Sequence, residues 1–155
     1  MKQPYKVARE VVSPDTLDLL KNTILLTKQV KYYQENKSTD DLTAFGDEQS
    51  PISFSFYSEV ICDSLAVSLL PLMEEQTGLQ LYPTYTYGRI YWKGSTLEKH
   101  TDRNACEISV SLHLGGDADW DIFFTKPDGT EISINLKPGQ GVMYQGIISE
   151  HWREA

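Results

Sequence analysis

Cysteine is nearly missing from this chain: Cys62 and Cys106 are the only two in 155 residues. Two cysteines make no disulfide framework, and their scarcity fits a reducing compartment, so a cytoplasmic location is expected. Long apolar runs are missing as well. No stretch reaches the length that crosses a bilayer, so no membrane partner is expected. The opening Met-Lys-Gln-Pro-Tyr-Lys-Val-Ala-Arg-Glu lacks the apolar core of a signal peptide. Basic charge is also short. Fourteen Lys and Arg stand against 22 Asp and Glu, a formal net charge of -8, which argues against nucleic acid as the partner. No repeat and no low-complexity tract interrupts the chain.

What remains is ordinary globular material, 40% apolar and 23% charged, of a length that suits one domain over residues 1–155. Ser13-Pro14-Asp15 reads as a helix start: a capping serine, a proline for the first turn, an acid at the positive end. Leu17, Leu20 and Ile24 follow on one stripe, and the helix is expected to run to about Tyr33. Residues 34–50 are polar and read as a connecting loop, with a lid over a site as the alternative. The aromatics Phe54, Phe56 and Tyr57 read as core, although Tyr57 could reach a pocket. A second helix is expected from about Glu59 to Thr77, bent or divided at Pro71 and capped by Gly78.

After Gly78 the texture becomes β. Strands are expected over Leu79–Thr84, Tyr85–Trp92, Glu107–Leu114 and Trp120–Phe124, then around Ile132, Ile134 and Leu136, and over Gly141–Tyr144. Turns fall at 115–119, at Pro127-Asp128-Gly129 and at Pro138-Gly139. Many short strands behind two helices indicate an α+β fold: an antiparallel double sheet or jelly roll with helices packed on one side.

The candidate chemistry sits on three residues. His100 and Asp102 are separated by one residue, and on extended backbone such a pair faces one way. His151 lies 51 residues further on, far enough to return through short strands and meet them, with Gly139, Gly141 and Gly146 at the corners. Two imidazoles and a carboxylate are the ligand set of a non-haem Fe(II) facial triad. The bland alternative for the first pair is a charge-assisted hydrogen bond in a loop. His113 alternates onto the polar face of its strand with Glu107, Ser109 and Ser111 and is read as a sheet residue, not a ligand. Cys106 is read as a small buried hydrophobe, not a sulfur ligand. Trp120, Ile122 and Phe124 are read as pocket wall or core, with core favoured.

The run Tyr87-x-Arg89-x-Tyr91-x-x-Gly94-x-x-Leu97-x-x-His100-x-Asp102-Arg103, then Ala105-Cys106-Glu107-x-Ser109, resembles the prolyl 4-hydroxylase-like branch of the 2-oxoglutarate, Fe(II)-dependent oxygenases. So does the later Leu136-x-Pro138-Gly139-x-x-x-x-Tyr144-x-Gly146-x-x-x-x-His151-Trp152-Arg153-Glu154. The resemblance implies a double-stranded β-helix of the cupin-like kind, with helical support over about 13–77 and a β-core over about 79–155. It implies His100, Asp102 and His151 as ligands of Fe(II), and Tyr91 beside the co-substrate 2-oxoglutarate. Dioxygen, ascorbate as reductant and a peptidyl-prolyl or small-molecule substrate go with it. The reaction would hydroxylate that substrate and release succinate and carbon dioxide. In that family an Arg or Lys well past the last histidine holds the distal carboxylate of 2-oxoglutarate, whereas here the sequence ends at Ala155. Either a C-terminal strand lies beyond this sequence or another cation serves, with Arg153 the candidate. The alternative for Arg153 is a salt bridge to Glu107 or Glu154, and Arg89 and Arg103 read as structural ion-pair partners. A non-catalytic metal-binding β-helix domain acting as a binding module is the second reading. A zinc hydrolase on the same ligands is the third, for which no general base is apparent.

Overall fold

The computed structural model describes residues 5–8, as backbone, and residues 11–155. The reading of no signal peptide concerns the first ten residues and lies largely outside the described ones. Helix α1 (Pro14–Gln34) begins as the sequence directs: the Ser13 hydroxyl accepts the Thr16 N–H at 3.3 Å, Pro14 opens the first turn and Asp15 follows. Its inner face buries Leu20, Ile24 and Tyr32. Helix α2 (Val60–Thr77) stops at Gly78, whose φ of 71° permits a left-handed cap donating to the Glu74 carbonyl. The expected division at Pro71 does not occur. Pro71 lies on the exposed side, where the carbonyl it leaves unpartnered can turn to water.

The strands are β1 (Tyr5–Ala8), β2 (Ser53–Tyr57), β3 (Tyr87–Tyr91), β4 (Leu97–His100), β5 (Ser109–Leu112), β6 (Ile122–Thr125), β7 (Glu131–Ile134), β8 (Gly141–Tyr144) and β9 (His151–Arg153). They form antiparallel sheets in the orders β1-β8-β5, β2-β3 and β4-β9-β6-β7. Alternation puts Phe54 and Phe56 of β2 on the face that packs on Ile24 and Tyr32 of α1, so the helical layer rests on this small sheet. Gly88 stands opposite Phe56, and a Cβ there would enter the Phe56 ring. A second core joins Ile122 and Phe124 of β6 to Val142 and Tyr144 of β8, with Leu136, so the three- and four-stranded sheets face each other across it. Each large side chain buried there contributes roughly 1.5–3 kcal/mol.

Three expectations change. β-structure enters the region assigned to helical support, because the aromatic run 53–57 is a strand. Residues 79–84 are not a strand. Pro83 offers no N–H, and side chains take the donors a ladder would need: Leu81 N–H bonds Glu74 at 2.8 Å and Thr86 N–H bonds Asp63 at 3.2 Å. Strand β1, too short and too charged to read from pattern, pairs with β8 from Tyr5↔Tyr144 to Ala8↔Gly141.

The 34–50 segment is a pinned connector. Tyr32 donates to the Asp41 carbonyl at 2.8 Å, Phe45 bridges to Phe54, and Asp47 receives both Tyr87, at 2.6 Å, and the Arg89 guanidinium. Burial would raise the Asp47 pKa, but the bonds from Tyr87 and Arg89 outweigh it and hold the carboxyl below its ordinary value.

Candidate metal centre

Strands β4 and β9 lie side by side, with Leu97 opposite Arg153 and His100 opposite His151. Three steps along β4 therefore match two along β9, which marks a bulge in β4. The bulge has a consequence for direction. His151 and Arg153 share a face of β9, so their partners Leu97 and His100 must share one too, which residues three apart on a regular strand cannot do. The extra residue turns His100 to meet His151, and the ring centroids come to 4.3 Å.

Asp102 follows in the irregular segment after β4, not on a regular strand as the sequence suggests. Its N–H bonds the Gly146 carbonyl at 2.8 Å, and its Oδ2 accepts the Ser109 hydroxyl at 2.7 Å. The other oxygen, Oδ1, lies 3.7 Å from His100 Nε2 and 3.6 Å from His151 Nε2. One ligand atom from each of the three residues falls within 4.8 Å of the others. Gly146 makes this approach possible, since a Cβ there would collide with Asp102 Oδ2 and the Cys106 carbonyl.

Both histidines are oriented by the same contact. His100 Nδ1 meets the Glu98 carbonyl at 2.7 Å, and His151 Nδ1 meets the Ser149 carbonyl at 2.9 Å. A carbonyl only accepts, so each Nδ1 carries a hydrogen, which leaves each Nε2 as the ring atom that can offer a lone pair. Burial lowers the His151 pKa, the nearby Arg153 acts the same way, and the Ser149 carbonyl and Asp102 oppose them. The net direction favours the neutral ring that a cation requires. Two Nε2 lone pairs and one carboxylate oxygen converging on a point suit a divalent transition metal.

Tyr144, buried on β8, places its hydroxyl 3.4 Å from His151 Nε2 and 3.3 Å from the Ser111 hydroxyl. Burial and then Asp102 raise its pKa, so the phenol stays protonated. The sequence reading passed over Tyr144 and Ser109 as site residues. Both stand in the runs that carry the resemblance, and Ser109 also lies on the polar face of β5, whereas Tyr144 lies inside an apolar strand.

Arg153 and Tyr91 come together beside the triad. The Arg153 guanidinium stacks over Trp120 at 4.9 Å and Tyr91 at 6.0 Å, and its Nη1 donates to the Trp120 carbonyl at 2.8 Å. Tyr91 meets Trp120 edge-on at 4.7 Å. Among the described residues Arg153 makes no ion pair, so the expected alternative of a bridge to Glu107 or Glu154 is not formed. Burial lowers its pKa. Trp120 is thus a wall over Arg153, while Ile122 and Phe124 are core as read.

The remaining candidates fall elsewhere. Arg89 pairs with Asp47 as expected, whereas Arg103 lies over the Tyr85 ring at 5.4 Å and forms no ion pair among the described residues. Cys106 donates its thiol hydrogen to the Tyr85 hydroxyl at 3.0 Å, and Tyr57 stacks on Tyr85 at 4.8 Å. His113 is half-buried just past the end of β5, its pKa lowered by burial and then by Arg153.

The fold is similar to that of the crystal structure of a Pseudomonas putida prolyl-4-hydroxylase, with a TM-score of 0.65 and 14% sequence identity. The likeness covers 98% of this chain and 85% of that one. At that identity it is a likeness of fold. No protein-family profile matches the chain, and neither does any curated protein.

Proposed function

We propose that the protein is an Fe(II)- and 2-oxoglutarate-dependent dioxygenase that hydroxylates a prolyl residue or a small molecule, releasing succinate and carbon dioxide. The observation that carries this reading is the convergence of His100 Nε2, His151 Nε2 and Asp102 Oδ1, with both Nδ1 atoms tied back to carbonyls. Similarity to a hydroxylase fold supports it, and the facing sheets are read as the two sides of a double-stranded β-helix. No helix among the described residues is long and apolar enough to cross a membrane, and a cytoplasmic site of action is part of the proposal.

The donor set fits iron: three ligands on one side leave half of an octahedron for co-substrate and dioxygen. When bound, iron and 2-oxoglutarate supply the oxidising chemistry, coupling reduction of dioxygen to decarboxylation of the keto acid and hydroxylation of the substrate. The residues of the chain do the rest. His100, His151 and Asp102 bind, and Ser109 keeps Asp102 turned inward. Tyr144 holds its proton on oxygen beside His151, where it can donate to an oxygen ligand. Arg153 takes the distal carboxylate of 2-oxoglutarate, Tyr91 lines the same pocket, and Trp120 covers the guanidinium and excludes water. A stacked, half-buried cation without an ion-pair partner is one that an incoming carboxylate would satisfy. A reductant such as ascorbate belongs with this chemistry.

Anaerobic addition of Fe(II) and 2-oxoglutarate should give a visible charge-transfer band. His100→Ala and Asp102→Ala should each abolish it, and a band surviving both removes the assignment. Iron binding without succinate release over a panel of peptides and amino acids would favour the non-catalytic module. Mass spectrometry for the gain of one oxygen identifies the substrate.

A further inference from the structure

Strand β3 turns Gly88 and Ile90 toward the helical core, so Tyr87, Arg89 and Tyr91 share its other face. On β2 they stand opposite Tyr57, Ser55 and Ser53. Arg89 is the centre of this face, with a side chain only 10% exposed. Its Nε donates to the Ser55 hydroxyl at 3.3 Å, and its Nη2 donates to Asp47 and, at 3.0 Å, to Gln49. The Tyr87 ring centre lies 5.0 Å from the guanidinium. The same guanidinium hydrogen-bonds the Tyr91 hydroxyl, two residues along the face. A fork engaged at so many points is fixed in place, which a simple salt bridge to Asp47 would not require.

The bond to Tyr91 has a direction. A guanidinium carries N–H donors and no acceptor, so the Tyr91 oxygen must accept from Arg89. The phenol's own hydrogen is then left to point elsewhere. Tyr91 meets Trp120 edge-on at 4.7 Å, and the Arg153 guanidinium, also a donor only, lies 6.0 Å from its ring. A phenol flanked by two guanidinium groups suits a ligand that only accepts, and an ionised carboxylate is such a ligand.

We infer that Arg89 is a positioning residue of the proposed co-substrate pocket: it occupies the lone-pair side of the Tyr91 hydroxyl and so directs the phenol hydrogen at the carboxylate that Arg153 holds. The inference rests on the reading of Tyr91 and Arg153 as the 2-oxoglutarate pocket. It gives the 34–50 connector a share in that pocket, because Asp47 and Gln49 hold Arg89 from there. Lysine cannot take this part. An ammonium on a flexible stem can meet Asp47, but it lacks the planar fork that reaches Ser55, Gln49 and Tyr91 together. Arg89 acts through Tyr91 and carries out no step itself.

Arg89→Lys and Tyr91→Phe, alone and combined, test this, with Arg89→Gln as the second variant should the lysine disturb folding. Chains labelled with fluorotryptophan report Tyr91 through the fluorine resonance of Trp120, assigned with Trp120→Phe, and need neither metal nor co-substrate. Arg89→Lys should shift that resonance in the parent and leave it unmoved in the Tyr91→Phe background. Anaerobic titration in the presence of Fe(II) should show half-saturation by 2-oxoglutarate rising about three- to tenfold in Arg89→Lys, the worth of one hydrogen bond, with Fe(II) affinity kept. Tyr91→Phe should show a similar rise, and the double variant no more than either alone. Additive effects of the two substitutions overturn the inference, as does a Trp120 resonance indifferent to Arg89. A fall in melting temperature with both readouts unmoved makes Arg89 a structural residue only and overturns it too. If the parent gives no charge-transfer band, the 2-oxoglutarate reading fails, and the fluorine resonance alone decides whether Arg89 holds Tyr91.

Discussion

At the level of single residues, the candidate site depends on atoms outside its three converging side chains. Each histidine is aimed by a backbone carbonyl two residues before it, Glu98 for His100 and Ser149 for His151. Those carbonyls have no signature in sequence, so the three candidate side chains were legible and their orientation was not. Ser109 does for Asp102 what the carbonyls do for the rings. Ser109→Ala should therefore weaken Fe(II) binding by roughly 10–100-fold, measured by anaerobic titration, with little change in melting temperature. Gly146→Ala should be more severe, because the new methyl would run into Asp102 Oδ2, the Cys106 carbonyl and the Ser109 hydroxyl. Its expected signature is loss of the iron band with retained far-ultraviolet dichroism. Arg153→Met separates the two halves of the site. Fe(II) affinity should hold, while half-saturation by 2-oxoglutarate should rise at least about tenfold, as loss of a charged hydrogen bond of ~1.5–3 kcal/mol implies. An unchanged 2-oxoglutarate requirement would show that Arg153 holds something else.

Elements show where pattern reading ends. Both helices were visible because caps and stripes are local, and Ser13 and Gly78 stand where the chemistry of helix ends requires. The β4 bulge was invisible, since it exists only in the pairing of Leu97 and His100 with Arg153 and His151. Deleting Lys99, an exposed residue between the two pairs, should restore a regular register and turn His100 away from His151. The expected result is lost iron binding in a folded chain, whereas Lys99→Ala, which keeps the bulge, should still bind. The 34–50 connector gives a pH test. Asp47 has a folded pKa below its unfolded one, so its contribution is complete above the unfolded value near 3.8 and is lost as pH falls through the folded value. Asp47→Asn leaves Arg89 half-satisfied and should cost about 2 kcal/mol at neutral pH, less than a fully buried pair because Asp47 is partly exposed. The variant should also show a shallower loss of stability in acid than the parent, measured by denaturant titration at a series of pH values.

For the molecule as a whole, the triad is a junction between sheets. His100 and His151 come from the four-stranded sheet, and Asp102 is held by Ser109 of the three-stranded sheet and by the Gly146 backbone between β8 and β9. Alternation along single strands could indicate two sheets and helices on one side, but not that the third ligand would be fixed from the opposite sheet, because that contact spans elements far apart in pairing. A cation at this junction would bind the folded chain and not the unfolded one, so it must stabilise the fold by mass action. At one hundred times its dissociation constant that amounts to about 2.7 kcal/mol, or a rise in melting temperature of roughly 5–10 °C for a chain of this size. Anaerobic scanning calorimetry with Fe(II) should show the rise, a chelator should reverse it, and His100→Ala should be indifferent to both. If Fe(II) leaves the parent's melting temperature unchanged at concentrations that saturate the charge-transfer band, the ion binds somewhere other than this junction.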